Sequence, residues 1–485
     1  MSQVTNQKSV KFNFVMNFIL TLSSIVFPLV TTPYISRVIL AEGTGRVEFV
    51  TSIVGIFAMF GMMGIPTYGI RACARVRGDQ EALSQTVYEI LIINTIAMVL
   101  TLVVYIVSIM TVPKFVEEQP LFIINIIVLV FNVLGVEWLY RALEQYQYIT
   151  VRSIIFKFIA LVMMFLFVKQ TSDYMIYGAI TIVANVGSNL LNFLNMRKFV
   201  ELKAFKPIDL KQHLRPIMSF FMMAIAITIY TSLDKGMLGM MSNATEVGYY
   251  AAAIKVKMVL VTLVTSLGAV LLPRLSYYVE QGEQKAFQEI TIKAFRFVLI
   301  AALPLTIYFT LFAKESILLL ASTEFVPAIV PMKIIMPTLL FIGVSNLLGI
   351  QILVPLKRED EVLYSVAFGA VINLLINFWL IPSLAATGAA IGTTVAEFAV
   401  VAFQAYVLRD FLKLVIGQIA YWKMGVALMW AIATALVASH WLEQSPFIVL
   451  VVTSVLFFGV YGVVLIALKE TFVTEMLKKV LKRGT

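Results

Sequence analysis

The sequence predicts an all-α integral membrane protein of about fourteen transmembrane helices. Three observations predict it. Of 485 residues, 60% are hydrophobic and 13% charged, with a mean hydropathy of +0.94, whereas a soluble domain carries about 25% charged residues. Apolar runs such as 123–136, 160–168 and 447–468 recur along the whole length and not in one anchor. The lysines and arginines, finally, alternate from loop to loop in the way a bilayer imposes.

About 20 apolar residues carry a helix across the hydrocarbon core. The spans fall at roughly 12–36, 46–69, 86–112, 120–141, 149–168, 174–196, 215–236, 246–273, 289–312, 325–356, 362–381, 386–408, 420–439 and 446–468. The first follows MSQVTNQKSVKFNF, which has two lysines but no short apolar core ending at a small-residue cleavage site, so it reads as a retained helix and not a signal peptide. The second ends in GIPTYGIR, the eighth in AVLLPRLS, and the tenth carries VPAIVPMKIIMP. Loops are short, the largest being 197–214 and 274–288, both on the side of the N-terminus.

About 28 of the 37 lysines and arginines fall on that side, which puts both termini in the cytoplasm. Dropping one span inverts every later loop and spoils the asymmetry. The net charge of +10 therefore follows the membrane and implies no nucleic-acid partner. The one cysteine, Cys73, excludes an internal disulfide. The two histidines, His213 and His440, fall in expected loops, which argues against a histidine proton relay or metal cluster.

The first two spans and the seventh and eighth share a layout. In each pair an apolar helix ends in charge (Arg37; Asp234 and Lys235) and meets a short hinge, ILAEGTGRVEFVTS or MLGMMSNATEVGYYAAA. A second helix then ends in proline and arginine, and the third opens with ALSQTVYEI or AFQEITIKA. Six intervening spans give both copies the same orientation. The expected domains are an N-terminal lobe over 1–196, a basic linker over 197–214 (MRKFVELKAFKPIDLKQH begins just before it), a second six-helix lobe over 215–408, and two further helices with a tail over 409–485.

FPLVTTPYISRVIL, EWLYRALEQYQYITVRS, SLDKGMLGMMSNATEVGYYAAAIKV, TSLGAVLLPRLS, NLLGIQILVPL and NLLINFWLIPSLAATGAAIGTTVAEF together resemble the polysaccharide transporter family, the Wzx-type oligosaccharide flippases within the multidrug/oligosaccharidyl-lipid/polysaccharide superfamily. The likeness runs in order along nearly the whole chain, with no single motif carrying it. It implies a V-shaped pair of six-helix lobes around a central cavity. It also implies movement of undecaprenyl-diphosphate-linked glycans to the outer leaflet of the bacterial cytoplasmic membrane, by alternating access and without ATP. The substrate, membrane lipids and other polysaccharide-assembly membrane proteins would be its partners. Independently, the sequence has no GxxxxGK[ST] phosphate loop, and it calls for no cofactor or metal.

Charges inside spans cost roughly 2.5–3.5 kcal/mol each on insertion scales and point to an internal cavity or partner. Lys255 stands about ten residues, roughly 15 Å, into its span, near the midplane. It suits a diphosphate, or else pairs with a neighbouring carboxylate. Lys257, about 200° further around the helix, faces either the cavity or a helix gap. Glu397, also near midplane, is a proton or cation site or a partner for a buried cation such as Lys255. Asp234 and Lys235 form an exposed outer pair or a gate. Glu137 and Arg141 can pair within one helix, as an interfacial anchor with Trp138 and Tyr140 or as a cytoplasmic rim for an anionic headgroup. Lys333 shares its span with Pro327, Pro331 and Pro337, which must kink it. Arg71, Arg75 and Arg77, a cytoplasmic run after the second span, read as a topology signal and an attraction for anionic lipid.

Arg37 lies either among the outer headgroups or, if Pro28 and Pro33 bend the first helix, at a cavity mouth where a guanidinium could grip a diphosphate. In that case Thr31 and Thr32 would bond the carbonyls the prolines leave free. Two other functions stay open. A drug or cation antiporter would want an acidic or aromatic cavity, and the candidates here are largely basic. A membrane-embedded glycan polymerase would want a sizeable outer loop, and none is expected.

Overall fold

The computed structural model describes residues 10–266, 268–442 and 445–481. The extreme termini, which the charge argument assigns to the cytoplasm, lie outside them. All regular structure among the described residues is helical. The chain divides into two compact units, Met1–Gly248 and Tyr249–Thr485.

In the first unit, α1 (Val10–Val38) runs unbroken through Pro28 and Pro33. The Thr31 hydroxyl reaches the Pro28 carbonyl at 3.4 Å, and not the Ser24 or Leu29 carbonyls that the prolines leave free. A left-handed Leu40 (φ 60) starts α2 (Leu40–Met62), and left-handed Met63 and Gly64 (φ 44 and 73) set off α3 (Ile65–Val76). The Asp79 carboxylate caps α4 (Gln80–Thr111) by accepting from the Glu81 and Ala82 amides at 3.0 and 3.1 Å. Prolines open α5 (Pro113–Glu117) and α6 (Gln119–Gly135). Val136 (φ 36) breaks α6 from α7 (Glu137–Ala142), and α8 (Tyr146–Phe167), α9 (Tyr174–Val186) and α10 (Asn189–Met196) follow. Next, α11 (Lys211–Met241) packs along α2, which also carries α4 and α6 on its flanks.

The 197–214 segment does not hang free. Its backbone docks on the start of α4, with the Glu201 amide donating to Ser84 Oγ at 3.1 Å and the Phe205 amide to Gln85 Oε1 at 2.8 Å.

The second unit takes in most of α12 (Ala244–Thr265), then α13 (Gly268–Glu280), α14 (Gln284–Leu311) and α15 (Ala313–Leu320). The proline-rich stretch resolves into pieces. Pro327 sits in a 3-10 turn, Pro331 in α16 (Ile329–Ile335), and Pro337 directly ahead of α17 (Thr338–Asn346). The two halves, Thr323–Ile335 and Thr338–Leu353, meet at 42°. A π-helical run, Leu347–Leu353, continues α17, and the 49-residue α18 (Glu359–Val407) follows. Ala385 inside α18 is non-helical (φ 46), so α18 is two spans joined at a hairpin. A side chain at Gly392 would strike Asn377 Oδ1 across it. Finally α19 (Arg409–Ile416), α20 (Tyr421–Trp441), α21 (Pro446–Ala467) and α22 (Thr471–Leu481) complete the chain. Tyr308 of α14 fastens α21 by donating to the Leu450 carbonyl at 2.9 Å, with Thr453 Oγ1 at 3.0 Å.

By length and apolarity, 11 helices among the described residues can cross a bilayer, or 12 with the bent pair taken as one, against the fourteen expected. The difference lies in α18, counted once although it holds two expected spans, and in α11, which is not among the candidates.

One close approach sets the backbone near the expected hinges. A side chain at Gly45 would strike the Ala244 carbonyl, and one at Gly248 would strike the Ala41 carbonyl. Ala41 is to Gly45 as Ala244 is to Gly248, four residues apart on each helix start. Each helix thus presents its glycine to the other's alanine carbonyl.

Candidate functional site

Within the second unit the expected interior charges other than Lys333 lie on α12 and the second half of α18. Tyr250 Oη and Thr393 Oγ1, both buried, stand 2.8 Å apart and bind the two helices together. Lys255 and Lys257 follow Tyr250 on α12 and are partly buried. Glu397, one turn beyond Thr393, is 3% exposed. A helix of this apolarity holds a buried carboxylate only where compensation is close. Lys333, by contrast, is exposed.

In the first unit, Asp234 and Lys235 part company. Asp234 is 5% exposed, which corrects the expectation of an exposed pair. Lys235 Nζ instead lies 2.7 Å from Glu48 Oε2 on α2, both side chains largely covered. Beside them Ser52 Oγ donates to the Ser232 carbonyl at 2.7 Å. Arg37 is exposed in the last turn of α1 and its guanidinium turns back to donate to the Pro33 carbonyl. Near the same helix starts, Arg46 bridges Glu42 at 2.6 Å and Glu118 at 3.2 Å. Burial pushes the Glu118 carboxyl above the usual carboxylate range, although Arg46 opposes it.

Glu137 and Arg141 do pair one turn apart on α7, at 2.7 Å. They border a cavity of about 360 Å³ with Pro66, Asn132 and Asn189. Trp138 and Tyr140 are not interfacial anchors: they are 2% and 0% exposed, and Tyr140 Oη donates to the Asn192 carbonyl at 2.7 Å.

Several polar residues escaped the reading of the sequence. His213 is not in a loop. It lies in the first turn of α11 and is buried, with its Nε2 2.8 Å from Glu89 Oε2 and its Nδ1 2.6 Å from the Tyr68 hydroxyl. Glu89 also accepts from Gln85, Gln212 and the Asp209 amide. His440 sits in the last turn of α20. On α8, Lys157 donates to Ser23 and Ser24 of α1 at 3.0 and 2.7 Å, and Arg152 is 7% exposed. Glu89, Arg152 and Lys157 all lie inside apolar windows, which was the signal available.

These features define a polytopic α-helical membrane protein with charges seated on its membrane helices. Residues 10–279 match the family model described as polysaccharide biosynthesis protein, and 219–379 match the MatE model. The chain belongs to the polysaccharide biosynthesis protein family.

A candidate O-antigen transporter of Escherichia coli (strain K12) is 22% identical over 408 residues, covering 84% of this chain and 98% of the relative. Its counterpart named in Shigella dysenteriae is 24% identical over 81% of this chain and 98% of the relative. Among solved structures, the lipid II flippase MurJ in an inward closed conformation superposes with a TM-score of 0.71 over 93% of this chain and 98% of its own, at 13% identity. An inward-facing multidrug resistance MATE family transporter of the MOP superfamily gives 0.61 over 84% and 97%, at 15% identity. At those identities the structural likeness shows a shared fold.

Proposed function

We propose that this protein is a lipid-linked polysaccharide flippase. It translocates an undecaprenyl-diphosphate-linked oligosaccharide, a precursor of cell-surface polysaccharide or teichoic acid, from the inner to the outer leaflet of the bacterial cytoplasmic membrane by alternating access, with both termini in the cytoplasm. The family match carries the reading, supported by relatives named for O-antigen transport that align over almost their whole length.

In this reading Lys255, Lys257 and Arg37 contact the diphosphate. A lysine follows anionic oxygens as a point charge, and an arginine offers a planar fork. Glu397 is the coupling carboxylate, taking up and releasing a proton or cation opposite the α12 lysines. The buried Asp234, with Lys235 on Glu48, forms the gate-side contact that rearranges during transport, and Glu137 with Arg141 forms the cytoplasmic rim. Pro28 and Pro33 of α1 and Pro327, Pro331 and Pro337 of the bent helix serve as bending points.

The test is genetic and chemical together. Depletion should accumulate a lipid-linked glycan on the inner leaflet, with export of cationic dyes unchanged. Dye retention without glycan accumulation would favour an antiporter instead.

A further inference from the structure

One sizeable cavity lies wholly within the first unit, and its lining includes no residue assigned above to transport. It measures about 730 Å³ and is bounded by the start of α1, the end of α3, the α7–α8 turn and the first half of α8. One end is polar, with Asn13, Arg77, Glu144 and Arg152; the other is apolar, with Ile155 and Leu191.

Arg152 is the anomaly. Its side chain is more than nine-tenths buried, yet among the described residues its guanidinium makes a single hydrogen bond, from Nη1 to the Ser188 carbonyl at 3.4 Å. Nε is buried with no partner, and the Tyr148 ring lies 6.0 Å away. An unsatisfied buried donor is costly, and more so when charged. The neighbouring ions do not supply the missing acceptor: Glu137 acts on Arg152 only at longer range, makes no hydrogen bond to it among the described residues, and is itself bridged by Arg141 at 2.7 Å. Glu144 is engaged by Arg77 at 2.6 Å and receives the Asn13 amide at 3.5 Å. Lys157, further along α8, is taken by Ser23 and Ser24. The polar end therefore holds two guanidinium groups against one carboxylate, with a fork of unused donors on the buried one. Beside it, Val151, Ile155 and Leu191 are 46%, 50% and 45% exposed, an apolar flank open along the cavity.

We propose that this cavity binds the phosphate group of a membrane lipid, with Arg152 as the donor and the apolar flank holding the first part of the chain. A phosphate oxygen is the acceptor an arginine fork matches best, and the mixed lining selects an amphiphile over a free anion. The source is either a bilayer phospholipid or the prenyl carrier of a glycan. The site does not depend on which glycan the protein moves.

The experiment is lipid binding to the purified full chain in detergent, read by native mass spectrometry, with no transport step. Three probes are added to delipidated protein: phosphatidylglycerol, undecaprenyl monophosphate and inorganic phosphate, with diacylglycerol as the phosphate-free control. Wild type should retain either lipid phosphate at least tenfold better than diacylglycerol or inorganic phosphate, and the better-held lipid identifies the source. Arg152→Gln should lose that preference. Ile155→Trp keeps the guanidinium but fills the flank at an exposed position, so it should lower retention even if Arg152→Gln fails to fold. Equal retention of diacylglycerol and phosphatidylglycerol would overturn the assignment. So would inorganic phosphate binding as well as the lipids, or wild-type retention in a folded Ile155→Trp protein.

Discussion

Lys235 of α11 reaches across to Glu48 of α2, with Nζ and Oε2 2.7 Å apart and both side chains mostly shielded from solvent. A pair this covered gains more from its Coulomb attraction than an exposed one, and losing one partner strands a charge. Glu48→Gln or Lys235→Met should each lower the thermal midpoint by several degrees and reduce transport about tenfold or more. The exchange Glu48→Lys with Lys235→Glu should recover most of both. An exchange no better than the singles would mean that the pair does not act as a unit.

Glu89 is held by His213, Gln85, Gln212 and a backbone amide. Those bonds tie the segment before α11 to α4. Glu89→Ala removes the acceptor from four donors at once, of which Gln85 and Gln212 keep a backbone carbonyl, and about 3 kcal/mol of stability should go with it. His213→Ala should cost less, since Glu89 keeps its other donors. Denaturation of the two variants, side by side, checks the order.

Glu118 gives a pH prediction with a definite sign. Burial raises its carboxyl above the usual range in the folded chain, so the folded state holds the proton more tightly than the unfolded one. The contribution to stability is then present at low pH and falls as pH rises from the ordinary glutamate value through the raised one. Glu118→Gln should raise the thermal midpoint at neutral pH and leave it nearly unchanged near pH 4. A midpoint lowered by the same amount at both pH values would contradict this.

The Tyr250–Thr393 contact fastens α12 to α18, so Lys255 and Glu397 are proposed to act together. Lys255→Gln and Glu397→Gln should each reduce translocation at least tenfold. Their double variant should do little worse than either single, which is the mark of coupled residues. Fully additive losses would separate the two roles.

Gly45 admits no side chain against the Ala244 carbonyl. Gly45→Val should block folding or insertion, whereas Gly55, which has nothing nearby, should accept alanine at little cost. Expression and gel-filtration profiles of the two variants decide it.

Much of the fold was legible because lipid allows so few solutions. Apolar windows of helical length located most of the helices, and the shared layout of the two hinges pointed to the segments where Gly45 and Gly248 meet Ala244 and Ala41. Pro337 marked the observed break ahead of α17. Depth along a helix could not say which way a side chain points or what crosses to meet it. Asp234 was therefore expected outside and is buried, and Trp138 and Tyr140 were expected at the interface and lie in the core. Arg152, Lys157 and Glu89 were visible as charges within apolar windows. His213 was not, because its first-turn position in α11 depends on a backbone segment docking on α4 through Ser84 and Gln85, a tertiary event that no local pattern encodes.

Movement of a lipid-linked glycan between leaflets can be measured directly. Purified protein in liposomes, loaded with a labelled undecaprenyl-diphosphate oligosaccharide from a cognate strain, can be assayed with a reagent that modifies only the outward-facing sugar. The protein should make the inner-leaflet pool accessible, Lys255→Gln should slow this severely, and Arg37→Lys should weaken it. Accessibility that is the same with and without protein would contradict it.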